Sequence, residues 1–178
     1  MGLSMYFDDL RVGDQWKSRG RTITETDVVN FAGMTGDYDP LHVDHEHARQ
    51  TPFGKPIAHG LLGLSLVAGL SSTCPAVHTS AFLGIRDWEF LRPLLIGDTV
   101  HVVTSVIDLQ VSSRRHGRVT WLRQLVNQTG QVVQKGIFET LVSTSQVRTR
   151  RDPNGRATEE SPPRPHTVAL DTAAKMEN

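Results

Sequence analysis

The chain has 178 residues, of which 19 are Lys or Arg, 19 are Asp or Glu and one is Cys, a length that suits one domain with its own core and is short for two. Zero formal net charge removes the global basic field that nucleic acid or an anionic membrane would need, so any anion must be met by local groups. The single thiol, Cys74, excludes an internal disulfide and permits a reducing compartment.

The opening stretch, Met1 to Asp9, carries early acids rather than a basic-then-apolar signal pattern, and Tyr6 stands where a myristoylation signal needs Ser or Thr. Thr24-Glu25-Thr26-Asp27 matches a capping box, with Ile23 and Val28 placed as a staple, and predicts a short helix to about Met34 that stops near Gly36. Asp37 and His42 then form a D-x4-H pattern across Pro40. Proline fixes its own φ and biases Asp39 away from the helical region, so the segment is expected to be a rigid loop rather than a helix turn. Asp44 can cap a second short helix through Arg49, and Thr51 to Pro56 must be loop. Leu61 to Leu70, the longest apolar run, covers every face of a helix and is far below the roughly 18 residues of a membrane span. It predicts a central buried helix, with Gly60, Gly63 and Gly69 allowing neighbouring backbone to come close. A soluble cytoplasmic protein is the expectation.

From Ala81 the periodicity changes to β-rich runs at about 81–91, 99–112, 118–127 and 131–144, which predict an antiparallel meander. In the third run Trp121 and Leu125 fall on one face and Leu122 and Val126 on the other. One face can wrap the helix, and the other suggests cover by a second subunit. Pattern alone gives α+β. Beyond 145 the composition shifts to Arg, Glu and Pro with few large apolar residues, so the expected organisation is a domain over 1–145 and a polar, proline-containing tail over 146–178.

A carboxylate and an imidazole held on one rigid segment, just ahead of a helix that opens on His59-Gly60, suit acid–base chemistry on a buried substrate. The bland reading has Asp37 and Asp39 capping a turn and His42 on the surface. Phe31, Gly36-Asp37-Tyr38-Asp39-Pro40-Leu41-His42-Val43-Asp44, Ala48, Phe53, Pro56-Ile57-Ala58-His59-Gly60, Phe90-Leu91-Arg92-Pro93 and Gly97-Asp98-Thr99 together decide between them. Across them the sequence resembles the MaoC-like dehydratases, which include the (R)-specific enoyl-CoA hydratases. The resemblance implies a hot-dog fold, an antiparallel sheet wrapped around a long central helix, and a homodimer or higher homo-oligomer with the acyl tunnel along the subunit boundary. It also implies reversible hydration of a 2-enoyl thioester, on CoA or acyl carrier protein, with no cofactor.

Under that reading Asp37 and His42 hold the water, and a carboxylate beside an imidazole favours the charged ring, so the pair can exchange a proton near neutral pH. The helix N-terminus supplies unpaired amides for the thioester oxygen, with Gly60 leaving room for it or, equally, allowing close packing on the sheet. His59 orients the loop by a hydrogen bond. The family commonly has Asn where this chain has Asp39, which puts a second carboxylate beside the site. Asp39, His59 and Gly60 are therefore the expected substrate-binding set.

Two rivals stand beside this. A hot-dog domain that binds acyl thioesters without turnover has no need of both Asp37 and His42. A metal enzyme could draw on Asp37, Asp39, His42, Asp44, His45 and His47, whose types suit zinc or iron, but there is no H-E-x-x-H pair and His45 and His47 fall on different sides of a helix. Arg114, Arg115 and Arg118 are either coenzyme phosphate ligands or a solvated hairpin end, and Cys74 is expected to be inert packing at the helix end.

Overall fold

The structure, a computed structural model, describes residues 4–146; the tail expected over 146–178 lies, apart from Gln146, outside the described residues. A single 3-10 turn over Phe7–Asp9 precedes two short strands, β1 (Gln15–Lys17) and β2 (Arg21–Thr22). Three helices follow, α1 (Glu25–Thr35), α2 (Pro40–Val43) and α3 (His45–Arg49), then α4 (Gly60–Ser71) and four long strands, β3 (Thr79–Phe90), β4 (Thr99–Val111), β5 (His116–Val126) and β6 (Val132–Ser143). No helix among the described residues is long and apolar enough to cross a membrane.

The helix signals act as expected. The Thr24 hydroxyl accepts from the Asp27 amide while the Asp27 carboxylate accepts from the Thr24 amide, satisfying two otherwise orphaned donors. Gly36, at φ 79°, closes α1 in the left-handed conformation that costs glycine least. Asp44 caps α3 by accepting from the amides of Glu46 and His47. The Pro40 segment corrects the reading. It is the one-turn helix α2, not a loop, because proline at the first helical position already has the right φ and its missing N–H would be unpaired there anyway. Asp39 keeps the extended ψ of 130° that a following proline favours, and its carboxylate caps the Leu41 amide.

The strands form one antiparallel sheet in the order β1-β4-β5-β6-β3, with β2 also on β4. Only β4, β5 and β6 make a meander. β3 pairs with the far side of β6 instead of β4, leaving its other edge open among the described residues. The sheet's inner face packs on α4, against β4 and β5, in the arrangement of the hot-dog fold. Along β5 and β6 the inward residues alternate, and Trp121 and Phe138 sit opposite each other in the core with the Trp121 indole donating to Thr140 Oγ1 at 2.9 Å.

The helix α4 is not buried all round. Leu62, Gly63, Val67 and Ser71 face the sheet, while Leu61 is 58% exposed and Ser65, Ala68 and Gly69 are exposed with it. One six-strand sheet covers one side of the helix, so its second apolar side is left open among the described residues. The glycines also differ from expectation. Side chains, not backbone, fill the space at two of them, Phe90 at Gly60 and Gln134 at Gly63, and nothing lies within 4 Å of a side chain built at Gly69.

Candidate active site

The site forms where the connection between α1 and α3 meets the start of α4. Asp37 follows the left-handed turn at Gly36, and His42 sits on α2. His59 is the residue before α4, 2% exposed, and its Nε2 lies 2.9 Å from the Asp37 carbonyl. A carbonyl only accepts, so Nε2 carries the proton and donates. His42 Nδ1 lies 2.7 Å from the Ile57 carbonyl and donates for the same reason. The two imidazoles lie against each other, tilted by 31° with centroids 3.8 Å apart, and Phe31 packs against His59 at 5.1 Å. Ligand-type atoms of Asp37, His42 and His59 all fall within 4.8 Å of one another, with the Asp37 side chain 52% exposed and so open to an incoming molecule.

The later motif residues hold this assembly in place. Ala58 donates to the Leu94 carbonyl and Ile57 bridges to Leu95. Asp98 accepts from the Leu95 amide and from the Gln128 side chain, while its carbonyl takes the Ile23 amide. Leu91 and Arg92 both donate to Val133. The Phe90–Pro93 and Gly97–Thr99 signatures therefore act as a strap under residues 57–59, not as chemistry.

Gly60 and Leu61 open α4, and their amides have no acceptor among the described residues, as the first turn of a helix requires. They stand next to His59 and hence to Asp37. The Phe90 ring occupies the space above Gly60, where a Cβ would meet it at 2.9 Å, so close packing explains this glycine directly. Gln134, which sequence reasoning missed, donates from Nε2 to the Gly60 carbonyl at 3.0 Å and anchors the helix start to β6. Nothing in the sequence around it distinguishes it from a solvated strand residue.

The six candidate metal ligands do not converge. Asp39 and Asp44 cap helices, and His45 pairs with Glu25 at 3.2 Å. Hydrogen bonds to the amides of His47 and Glu46, offset in part by desolvation, hold the Asp44 carboxyl below its usual range. Only Asp37 and His42 of that set join the cluster, and His59 completes it. Arg114, Arg115 and Arg118 lie at the other end of the sheet, where His116 pairs with Ser143, about 30 Å of strand from Gln134. Arg118 faces Glu139 at 3.5 Å. Cys74 donates from Sγ to the Lys17 carbonyl at 3.2 Å, in keeping with packing at the helix end.

Against this geometry, the profile of the MaoC like domain matches residues 10–126. The chain belongs to the MaoC-like dehydratase family. It is 39% identical over 115 residues to the 3-hydroxybutyryl-CoA dehydratase of Methylorubrum extorquens, covering 65% of this chain and 71% of that protein. It is 34% identical over 104 residues to the (R)-specific enoyl-CoA hydratase of Rhodospirillum rubrum, covering 58% and 71%. The match to Protein MaoC of Klebsiella aerogenes spans only 29% of that protein. Among solved structures, the monoamine oxidase regulatory protein of Archaeoglobus fulgidus superposes with a TM-score of 0.73 at 37% identity, over 79% of this chain and 95% of that one.

Proposed function

We propose that this MaoC-like protein is a hydratase/dehydratase acting reversibly on a 2-enoyl or (R)-3-hydroxyacyl thioester, carried on CoA or acyl carrier protein. The observation that carries the reading is the approach of Asp37, His42 and His59 to within 4.8 Å beside the uncommitted amides that open α4. The Methylorubrum and Rhodospirillum relatives, a 3-hydroxybutyryl-CoA dehydratase and an (R)-specific enoyl-CoA hydratase, support the same class of reaction.

In the forward direction a water held by the Asp37 carboxylate and the His42 ring forms its O–C bond at the β-carbon as it gives up a proton to the pair. The π electrons move toward the carbonyl, and the α-carbon takes a proton from the same pair. The charge that builds on the thioester oxygen meets the Gly60 and Leu61 amides at the positive end of the helix. Dehydration is the reverse. Asp37 and His42 act here as one coupled unit. His59 positions them, through its hydrogen bond to the Asp37 carbonyl and its tilted ring contact with His42. Asp39 supports His42 indirectly by capping α2.

The chain is further proposed to act as a homodimer or higher homo-oligomer. The open edge of β3 and the uncovered side of α4 supply the surface, with Phe82, Leu83, Ile85, Phe90 and Leu61 exposed there. A metal-dependent reaction is the second reading, favoured by one observation, the Asp37-His42-His59 trio. The function is tested by following loss of the conjugated-thioester absorbance for purified protein against enoyl-CoA thioesters of increasing length and branching, with chiral analysis of the product. Turnover to the (R)-3-hydroxyacyl thioester supports the proposal. Binding without turnover across the panel would favour the non-catalytic thioester-binding alternative.

A further inference from the structure

Five buried side-chain polar atoms among the described residues have no hydrogen-bond partner: His59 Nδ1, Trp88 Nε1, Thr104 Oγ1, Arg123 Nε and Gln134 Oε1. They are not scattered. Thr104 pairs with Arg123 across β4 and β5, and Arg123 pairs with Gly136 across β5 and β6. Trp88 lies over Gly136, where a Cβ would sit 2.4 Å from its ring. These residues make one rung across the sheet's inner face. The next rung is Val102, Leu125 and Gln134, and Gln134 holds the Gly60 carbonyl at the head of α4. Two residues along a strand span about 7 Å, so the unpaired rung begins one step inward from the candidate active site.

Arg123 dominates this rung. It is 9% exposed and alternates with Trp121 and Leu125 on the core face. A guanidinium has five N–H donors and no acceptor, and buried charges are normally paired. Burial pushes its pKa down to about 10, still far above neutrality, so it remains a cation. The Phe138 ring, 4.4 Å from the guanidinium carbon, compensates part of the desolvation but accepts no hydrogen bond along the plane of the group. The second donor is delivered by a distortion. Asp87 and Trp88 together oppose Gly136, and Asp87 takes a φ of 54°, a left-handed conformation that Asp tolerates better than most non-glycine residues, at a bulge that accompanies the inward turn of the indole. Thr104 adds a hydroxyl.

The geometry points to a carboxylate-binding site built from Arg123, Trp88 and Thr104 one rung in from the head of α4, selecting thioesters of short dicarboxylic acids whose far end reaches it. The inference rests on the proposed thioester chemistry for the position of the acyl chain. An Arg fork and an indole N–H suit the two oxygens of a carboxylate, and a site with such donors discriminates against a chain that leaves them unpaired.

The test compares matched ligands on the full chain. Saturated adipoyl-CoA and hexanoyl-CoA report binding alone, by calorimetry, and 2-hexenedioyl-CoA and 2-hexenoyl-CoA report turnover. The wild type is expected to bind adipoyl-CoA at least about 10-fold tighter than hexanoyl-CoA. Arg123→Met should remove that preference and lower the diacid-to-monoacid ratio of kcat/KM by at least about 30-fold, with Arg123→Lys retaining part of it. Equal binding of the two saturated thioesters by the wild type, or an equal loss on both substrates in Arg123→Met, overturns the inference and leaves Arg123 as a structural group bridged by water. If Arg123→Met does not fold, the wild-type binding comparison and Arg123→Lys decide. A wild type that prefers adipoyl-CoA but hydrates no thioester would retain the carboxylate site and refute the hydratase reading instead.

Discussion

His59→Leu separates positioning from stability. The substitution keeps roughly the bulk of the side chain, now apolar, but removes the Nε2–H bond to the Asp37 carbonyl and the tilted ring contact with His42. Losing the hydrogen bond costs about 0.5–1.5 kcal/mol, and losing the ring contacts about as much again. Against this, the variant no longer buries the unpaired Nδ1, whose desolvation penalty is about 1–3 kcal/mol. These terms nearly cancel, so the melting temperature should stay within about 5 °C of wild type. Catalysis has no such compensation. The Asp37 backbone loses the bond that ties it to α4, and a misplacement of about 1 Å can cost about 100-fold. Turnover on the best enoyl-CoA should fall about 10- to 100-fold, mostly in kcat, by the absorbance assay. A variant with wild-type kcat would refute the positioning role, and one that fails to fold would show that His59 is chiefly structural.

Three further outcomes are expected. Burial pushes the Asp27 carboxyl up, but hydrogen bonds from Thr24 and the Arg21 partner outweigh it and hold the group below 3.8. Because the folded value is depressed, its contribution is complete above 3.8 and lost as pH falls through the lower folded value, so the melting-temperature gap between wild type and Asp27→Asn should be flat near pH 7 and shrink below about pH 4; a constant gap down to about pH 2.5 would contradict this. Activity should survive prolonged EDTA treatment, whereas stoichiometric zinc or iron by elemental analysis, with activity lost on stripping and regained on addition, would promote the metal reading. Sedimentation equilibrium at micromolar concentration should give about twice the chain mass or a multiple of it, and a fully active monomer would overturn the assembly proposal.

Much of the fold is legible because its signals are local. The Thr24 capping box, the Gly36 stop and the Asp44 cap act within one turn of chain, and the four long strands differ from the predicted runs only at their ends. Strand order is not local, and nothing in the alternation of β3 says that it joins β6 rather than β4. The strands β1 and β2, three and two residues long, are too short to show a period. Pro40 misleads because proline starts a helix as readily as it breaks one. Asp37, His42 and His59 are visible as types, but their meeting depends on the strap from Leu94 to Ala58, which joins positions far apart in sequence. Arg123 escapes the sequence reading although it stands between Trp121 and Leu125 on the inward face of its strand, where a charged side chain breaks the apolar alternation.

Asp37 and His42 are proposed to run the chemistry together. Steady-state turnover of Asp37→Asn, His42→Ala and the double variant on the best enoyl-CoA, each shown folded by its melting curve, decides whether they do. Each single variant should lose at least about 100-fold in kcat/KM, and the double should lose little more than either, as for two groups acting as one unit. Near-wild-type turnover by either single variant would place the active site elsewhere.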